Sequence, residues 1–150
     1  MMVVPVDVAW PQERIKQAAL DSDVAVALVE PSSLSLLPEL PCPSLVVDAA
    51  FYEKYAAEPE LCQMKEEDAA LVLFTSGSTG KPKGIVLSHG YVTALVAGIV
   101  ESKRMSQATK TLCYHSPTWM PFLDNLFGPL LAGGTCLYFP DNEKHIVMPS

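Results

Sequence analysis

Residues 71–84 read LVLFTSGSTGKPKG: an apolar run of strand character passes without a break into a loop of hydroxyls, glycines and lysines. Thr75, Ser76, Ser78 and Thr79 bring hydroxyl groups. Gly77, Gly80 and Gly84 permit positive φ and let backbone amides come close to a ligand. Lys81 and Lys83 flank the rigid Pro82. Backbone N–H groups, hydroxyls and two ammonium groups in one short loop make a cradle for phosphate oxygens. The order is not a Walker A loop, because counting from Gly77 puts its second glycine on Pro82, and GxGxxG is absent as well. Serine and glycine alone would suit an ordinary surface turn, but this order runs from 75 to 84 without filler. Residues 85–87 intervene before the next helix, so donors are expected from the loop itself more than from a helix dipole.

Outward from the loop, strand-like and helix-like segments alternate. Upstream, residues 3–8 suggest a short strand. Pro11 suits a helix start, and 13–20 places Ile15, Ala18 and Ala19 on one face. Residues 24–29 form a continuous β-branched run of the kind buried on both sides. Four prolines between 31 and 43 exclude a long helix. A strand resumes at 44–48, and 53–68 reads as an acidic, solvated connection broken by Pro59. Downstream, Ser88 can cap a helix with Val92, Leu95, Val96 and Ile99 at helical spacing. A strand is expected at 111–115. Leu123, Leu126, Phe127, Leu130 and Leu131 form an apolar helical stripe of core character, ended by Gly133 and Gly134. A last strand at 135–139 stops at Pro140. Strands separated by helices predict an α/β fold with a mostly parallel sheet flanked by helices.

Composition fits one domain: 150 residues, 49% apolar, 18% charged, net charge −7. Acidic excess argues against a nucleic-acid partner. The charge is uneven, with 4 basic and 13 acidic groups in residues 1–70 against 6 and 4 in 71–150. An anionic ligand therefore belongs to the second half. No apolar run approaches the roughly 18 residues of a membrane span. The start, MMVVPVDVAWPQER, lacks a secretory leader pattern. Cys42, Cys62, Cys113 and Cys136 have neither CxxC spacing nor histidine partners, so they read as reduced packing residues of a cytoplasmic protein, with no metal site.

TSGSTGKPKG after an apolar strand resembles the phosphate-loop signature of the adenylate-forming (AMP-binding) superfamily, which includes acyl-CoA synthetases, luciferase-like enzymes and adenylation domains of nonribosomal peptide synthetases. VPVDVAWPQERIKQAALDSDVAVALV resembles the upstream segment of the peptide-synthetase branch, and LFGPLLAGGTCLYFP its downstream helix and strand. The resemblance implies that residues 1–150 are part of the large domain of such an enzyme, with the phosphate loop at 72–84. The implied reaction joins a carboxylic acid to ATP, with Mg²⁺, giving an acyl-adenylate and pyrophosphate. Thr75, Ser76, Gly77, Ser78, Thr79, Gly80, Lys83 and Gly84 match pyrophosphate-holding positions, whereas Lys81 sits where more freedom is expected.

The same resemblance sets His115, Trp119 and Met120 along the acid pocket. Laid back from Leu126, Phe127 and Gly128, the peptide-synthetase motif puts its aromatic on Trp119. Its ammonium-binding aspartate falls on Met120. A thioether cannot balance an ammonium ion, so an aryl, keto, hydroxy or fatty acid fits better than an α-amino acid. Asp124 is the one nearby acid, reachable only by a shifted register. His115 can equally be a hydrogen-bonded structural residue, and Trp119 and Met120 can be core. His89 suits a cap region, and Glu66, Glu67 and Asp68 a solvated turn. Residues for adenine, ribose and Mg²⁺ are implied beyond this stretch, so the chain is expected to need the remainder of the domain and not to catalyse alone. Unpaired sheet edges and exposed apolar faces should follow. The alternatives are a noncatalytic phosphate-binding module and an inert remnant.

Overall fold

The structure, a computed structural model, describes residues 1–55, 62–75 and 82–138. Helix α1 (Gln12–Asp21) follows Pro11 and buries Ile15, Ala18 and Ala19, the face its periodicity marks. Strand β1 (Ala27–Val29) pairs in parallel with β2 (Ser44–Val46) across a 3₁₀ helix at Pro31–Leu36. Asp48 then accepts a 2.8 Å hydrogen bond from the Phe51 amide and caps α2 (Ala49–Lys54). Strands β3 (Ala69–Thr75) and β4 (Lys83–Ser88) are antiparallel, with Thr75 opposite Lys83 and Val72 opposite Val86. Helix α3 (His89–Ser102) packs on this hairpin and also on α4 (Met120–Leu131). Strands β5 (Lys110–Cys113) and β6 (Thr135–Tyr138) flank α4 in sequence and pair in parallel.

The α/β alternation is present. The described residues form three two-stranded sheets, two parallel and one antiparallel, in place of one mostly parallel sheet. Three local expectations are corrected. The segment 3–8 makes a single parallel bridge, Val3 beside Leu71, with Val3 N–H to Ala70 O and Val72 N–H to Val3 O, both 2.9 Å. Pro5 has no N–H with which to extend the ladder. The run at 24–29 is not buried on both sides: Val29 is buried, but Leu28 is 63% exposed because β1 has one strand neighbour and no cover over Leu28. On α4, Leu123 is buried, whereas Phe127, Leu130 and Leu131 are exposed. That helix meets α3 at Gly128, where an added Cβ would lie 3.7 Å from Ile99 Cγ2 of α3 and 3.0 Å from Met105 Sδ just beyond it, so its stripe is only partly core.

α4 ends as its glycines suggest. Gly133 adopts φ +73°, Gly133 N–H bonds Leu130 O at 3.1 Å, and Gly134 N–H bonds Pro129 O at 2.7 Å. That is the Schellman pattern, in which a left-handed residue redirects the last carbonyls. A compact cluster of Ala18, Val72 and Phe74, edged by Met2, Val4 and Trp10, ties α1 and the N-terminal segment to β3.

Candidate functional site

The β3–β4 hairpin brings the two ends of the hydroxyl-rich loop together. Thr75 closes β3, exposed, and its Oγ1 donates a long 3.4 Å hydrogen bond to the carbonyl of Lys83. Lys83 opens β4 and is also exposed. Ser76, Gly77, Ser78, Thr79, Gly80 and Lys81 lie outside the described residues. Gly84 does not use a positive φ; it sits in β4 opposite Phe74, and a Cβ there would come 3.1 Å from Val72 Cγ1 and 3.3 Å from Phe74 Cζ. A side chain at this position would need Val72 and Phe74 to give by a few tenths of an ångström, and no left-handed turn is involved.

The N-terminus of α3 is already satisfied. Ser88 Oγ accepts from Tyr91 N–H at 3.2 Å, while His89 and Gly90 donate to the carbonyls of Asp68 and Glu66, each at 2.9 Å. The first three amides of this helix are therefore already engaged and are not free for an anion. His89 is half-buried at this helix start.

The second group of residues lies between β5 and α4. His115 is half-buried, and Asn125 on α4 donates through Nδ2 to its Nδ1 at 2.9 Å. An Nδ1 that accepts leaves the ring proton on Nε2. Tyr114 stacks on the ring at 4.1 Å between centroids. Trp119 occupies the cap position of α4 and is 64% exposed, so it is not core; Met120 begins the helix, half-buried. Asp124 lies 3.9 Å from Lys103 Nζ, an ion pair on the α3 side.

Sequence reasoning missed the residues that hold this segment. Asp7 Oδ2 accepts from Ser116 Oγ at 2.8 Å, and Ser116 also bonds Thr118 Oγ1 at 3.0 Å. Thr118 is the buried polar residue of the described chain. A tie across 109 positions has no local signal. No hydrogen bond or ion pair joins the Thr75–Lys83 pair to His115 among the described residues. Nor do three His, Cys, Asp or Glu side chains converge there as metal ligands. Burial, and secondarily the neighbouring Cys136 across β5 and β6, pushes the Cys113 thiol above its ordinary pKa. All four cysteines are free. No helix of the described residues is long and apolar enough to cross a membrane.

The family model described as AMP-binding enzyme matches residues 1–148. Surfactin synthase subunit 2 of Bacillus subtilis is 36% identical over 135 residues, 87% of this chain and 4% of that protein. The nonribosomal peptide synthetase apmB of Penicillium brevicompactum is 32% identical over 143 residues, 95% of this chain and 6% of that protein. Among solved structures, the nonribosomal peptide synthetase FmoA3 in its AMPPNP-bound form superposes with TM-score 0.81 at 25% identity, covering 93% of this chain and 14% of that one. The N-terminal subdomain of Klebsiella oxytoca NpsA shares the fold at TM-score 0.76 and 20% identity, over 93% of this chain and 35% of its own. The chain thus spans a small part of the length of the proteins it matches.

Proposed function

The chain belongs to the family of AMP-binding enzymes, and on that premise we propose that residues 71–84 grip the polyphosphate of ATP while a carboxylic acid becomes an acyl-adenylate. A carboxylate is a poor acyl donor. Its oxygen attacks the α-phosphorus, the bond from that phosphorus to the bridging oxygen of pyrophosphate breaks, and pyrophosphate leaves with the charge. Donors fixed around the departing group stabilise that charge as it develops. Lys83 supplies an ammonium group, and Thr75 a hydroxyl whose present acceptor is distant enough to exchange for a phosphate oxygen. Ser76, Gly77, Ser78, Thr79 and Gly80 complete the grip, beside Gly84, where an added Cβ would press on Val72 and Phe74.

Mg²⁺ would neutralise phosphate oxygens when it accompanies ATP. The described residues offer no cluster of ligands for it, and the roles assigned here to Thr75 and Lys83 do not pass through the metal. On the acid side, His115, Trp119 and Met120 form one wall. Met120 in place of an acid favours an aryl, keto, hydroxy or fatty acid. Adenine and ribose contacts come from the rest of the adenylation fold, which the chain needs for turnover.

The observation that supports this reading most is that the family match, residues 1–148, takes in a hairpin whose paired ends are Thr75 and Lys83. Calorimetric titration with ATP tests it. Binding that inorganic pyrophosphate displaces and adenosine does not is the expected result, with acid-dependent pyrophosphate exchange at background. ATP that fails to bind, or binds without competition from pyrophosphate, overturns the grip. Robust exchange by these residues alone overturns the need for the remaining fold.

A further inference from the structure

Asn125 reaches the ring of His115 with its side chain while its own backbone is tied to the neighbouring strand. Its Nδ2 lies 2.9 Å from Nδ1 of His115, and its carbonyl accepts from Thr111 Oγ1 at 2.7 Å. Helix α4 thus carries the carboxamide, and a hydroxyl of β5 fixes where it stands. The Tyr114 ring, 4.1 Å from the imidazole between centroids, adds a stacked neighbour. Asn125 and His115 are both half-buried.

A carboxamide nitrogen can only donate, so the Nδ1 it meets is the bare nitrogen of a neutral imidazole. The ring proton then sits on Nε2. That nitrogen has no partner among the described residues, and it is not one of the side-chain nitrogens buried without a partner, which are Arg14 Nε and His89 Nε2. His115 is left with an unspent donor. The bond at one nitrogen decides what the other can offer. An ammonium group brings donors alone and finds no acceptor at Nε2, whereas an oxygen of a carboxylate or of a neighbouring carbonyl can accept. Met120 disfavours an ammonium by carrying no charge, and the tautomer of His115 disfavours it for a separate reason at a separate residue.

We propose that Asn125 is a positioning residue of the acid wall: it holds His115 as the Nε2–H tautomer, so that the wall gives a hydrogen bond to an oxygen of the acid. This rests on the reading of His115 as part of that wall. The chemistry selected is an acceptor oxygen, carboxylate or keto, and not an amine.

Nitrogen-15 spectra of the imidazole rings test the proposal, taken at a pH where the signals of the 3 histidines no longer move and assigned with His115→Gln. In the unaltered chain His115 should show a bare Nδ1 and a protonated Nε2. Asn125→Asp should exchange the two, because a carboxylate accepts and draws the proton to Nδ1. Thr111→Val, which releases only the Asn125 carbonyl, should lower the melting temperature and leave the tautomer as it was. Benzoate and 2-oxobutanoate, an aryl and a keto acid, should shift the Nε2 signal of the unaltered chain. A protonated Nδ1 in the unaltered chain overturns the proposal, even where Asn125→Asp does not fold, and the wall stands if the acids still move the ring. An unchanged tautomer in folded Asn125→Asp, or one lost equally in Thr111→Val, removes the positioning role. If the tautomer is as expected and neither acid moves the ring, the proposal falls together with the reading of the wall.

Discussion

Thr111 Oγ1 donates a 2.7 Å hydrogen bond to the carbonyl oxygen of Asn125, the oxygen that Pro129 leaves without its helical donor. Proline inside α4 removes one backbone bond four residues back. A hydroxyl from β5 takes its place, and the same Asn125 holds the ring of His115 through its side chain. Strand, helix and candidate pocket residue are joined at one position. Thr111→Val should therefore destabilise the fold by about 1–2 kcal/mol, leaving a part-buried carbonyl unpaired. Thr111→Ser should recover most of that loss. Urea denaturation of the three proteins measures it, and equal midpoints for Thr111→Val and the unaltered chain would contradict the role.

The left-handed Gly133 predicts a second stability effect. Any other residue at φ +73° is strained, so Gly133→Ala should lower stability by about 1 kcal/mol. An increase in melting temperature on that change would mean that the Schellman turn does not hold α4.

Ser88 offers a check on the other side of the molecule. Its hydroxyl caps α3 through Tyr91 N–H, and Ser88→Ala should cost about 1 kcal/mol. Ser88→Asp should keep the cap. Amide hydrogen exchange at Tyr91, faster in Ser88→Ala alone, is the direct readout.

How far this architecture was legible in the sequence depends on how local each signal is. Pro11, Ser88 and the Gly133–Gly134 pair act within one turn of themselves, and the helices begin and end where they indicate. The strand 69–75 was legible because six consecutive apolar residues, 69–74, run straight into the loop. Partners were not. Ile85 and Val86 are exposed and Leu87 alone of β4 is buried, so β4 shows no alternating face, and its antiparallel pairing comes from the return of the chain. Leu28 looks like core in sequence but has no cover. In the candidate site, Thr75 and Lys83 stand out through their own chemistry and His115 through the family resemblance. Asp7, Ser116 and Asn125 act through contacts made only by folding.

Cysteine chemistry gives a prediction with a pH sign. Cys113 is fully buried and Cys62 exposed, so a maleimide should label Cys62 first and Cys113 last. The folded state holds the Cys113 thiol above its ordinary value, which disfavours the thiolate in the fold. Its contribution to stability is then complete below the unfolded thiol pKa, about 8.5, and is lost as pH rises through the folded value. The urea midpoint should fall over that alkaline range, and fall less in Cys113→Ala. Peptide mapping after timed labelling and denaturation at two pH values check the pair; early labelling of Cys113 would refute its burial.

The most direct measurement is the affinity of Lys83→Ala for ATP against that of the unaltered chain, by calorimetry at fixed ionic strength. Lys83 is exposed at the paired end of the hairpin and holds up no core. A loss of about tenfold, roughly 1.4 kcal/mol, with circular dichroism unchanged, is the expected result. Equal affinity in a folded Lys83→Ala would contradict it.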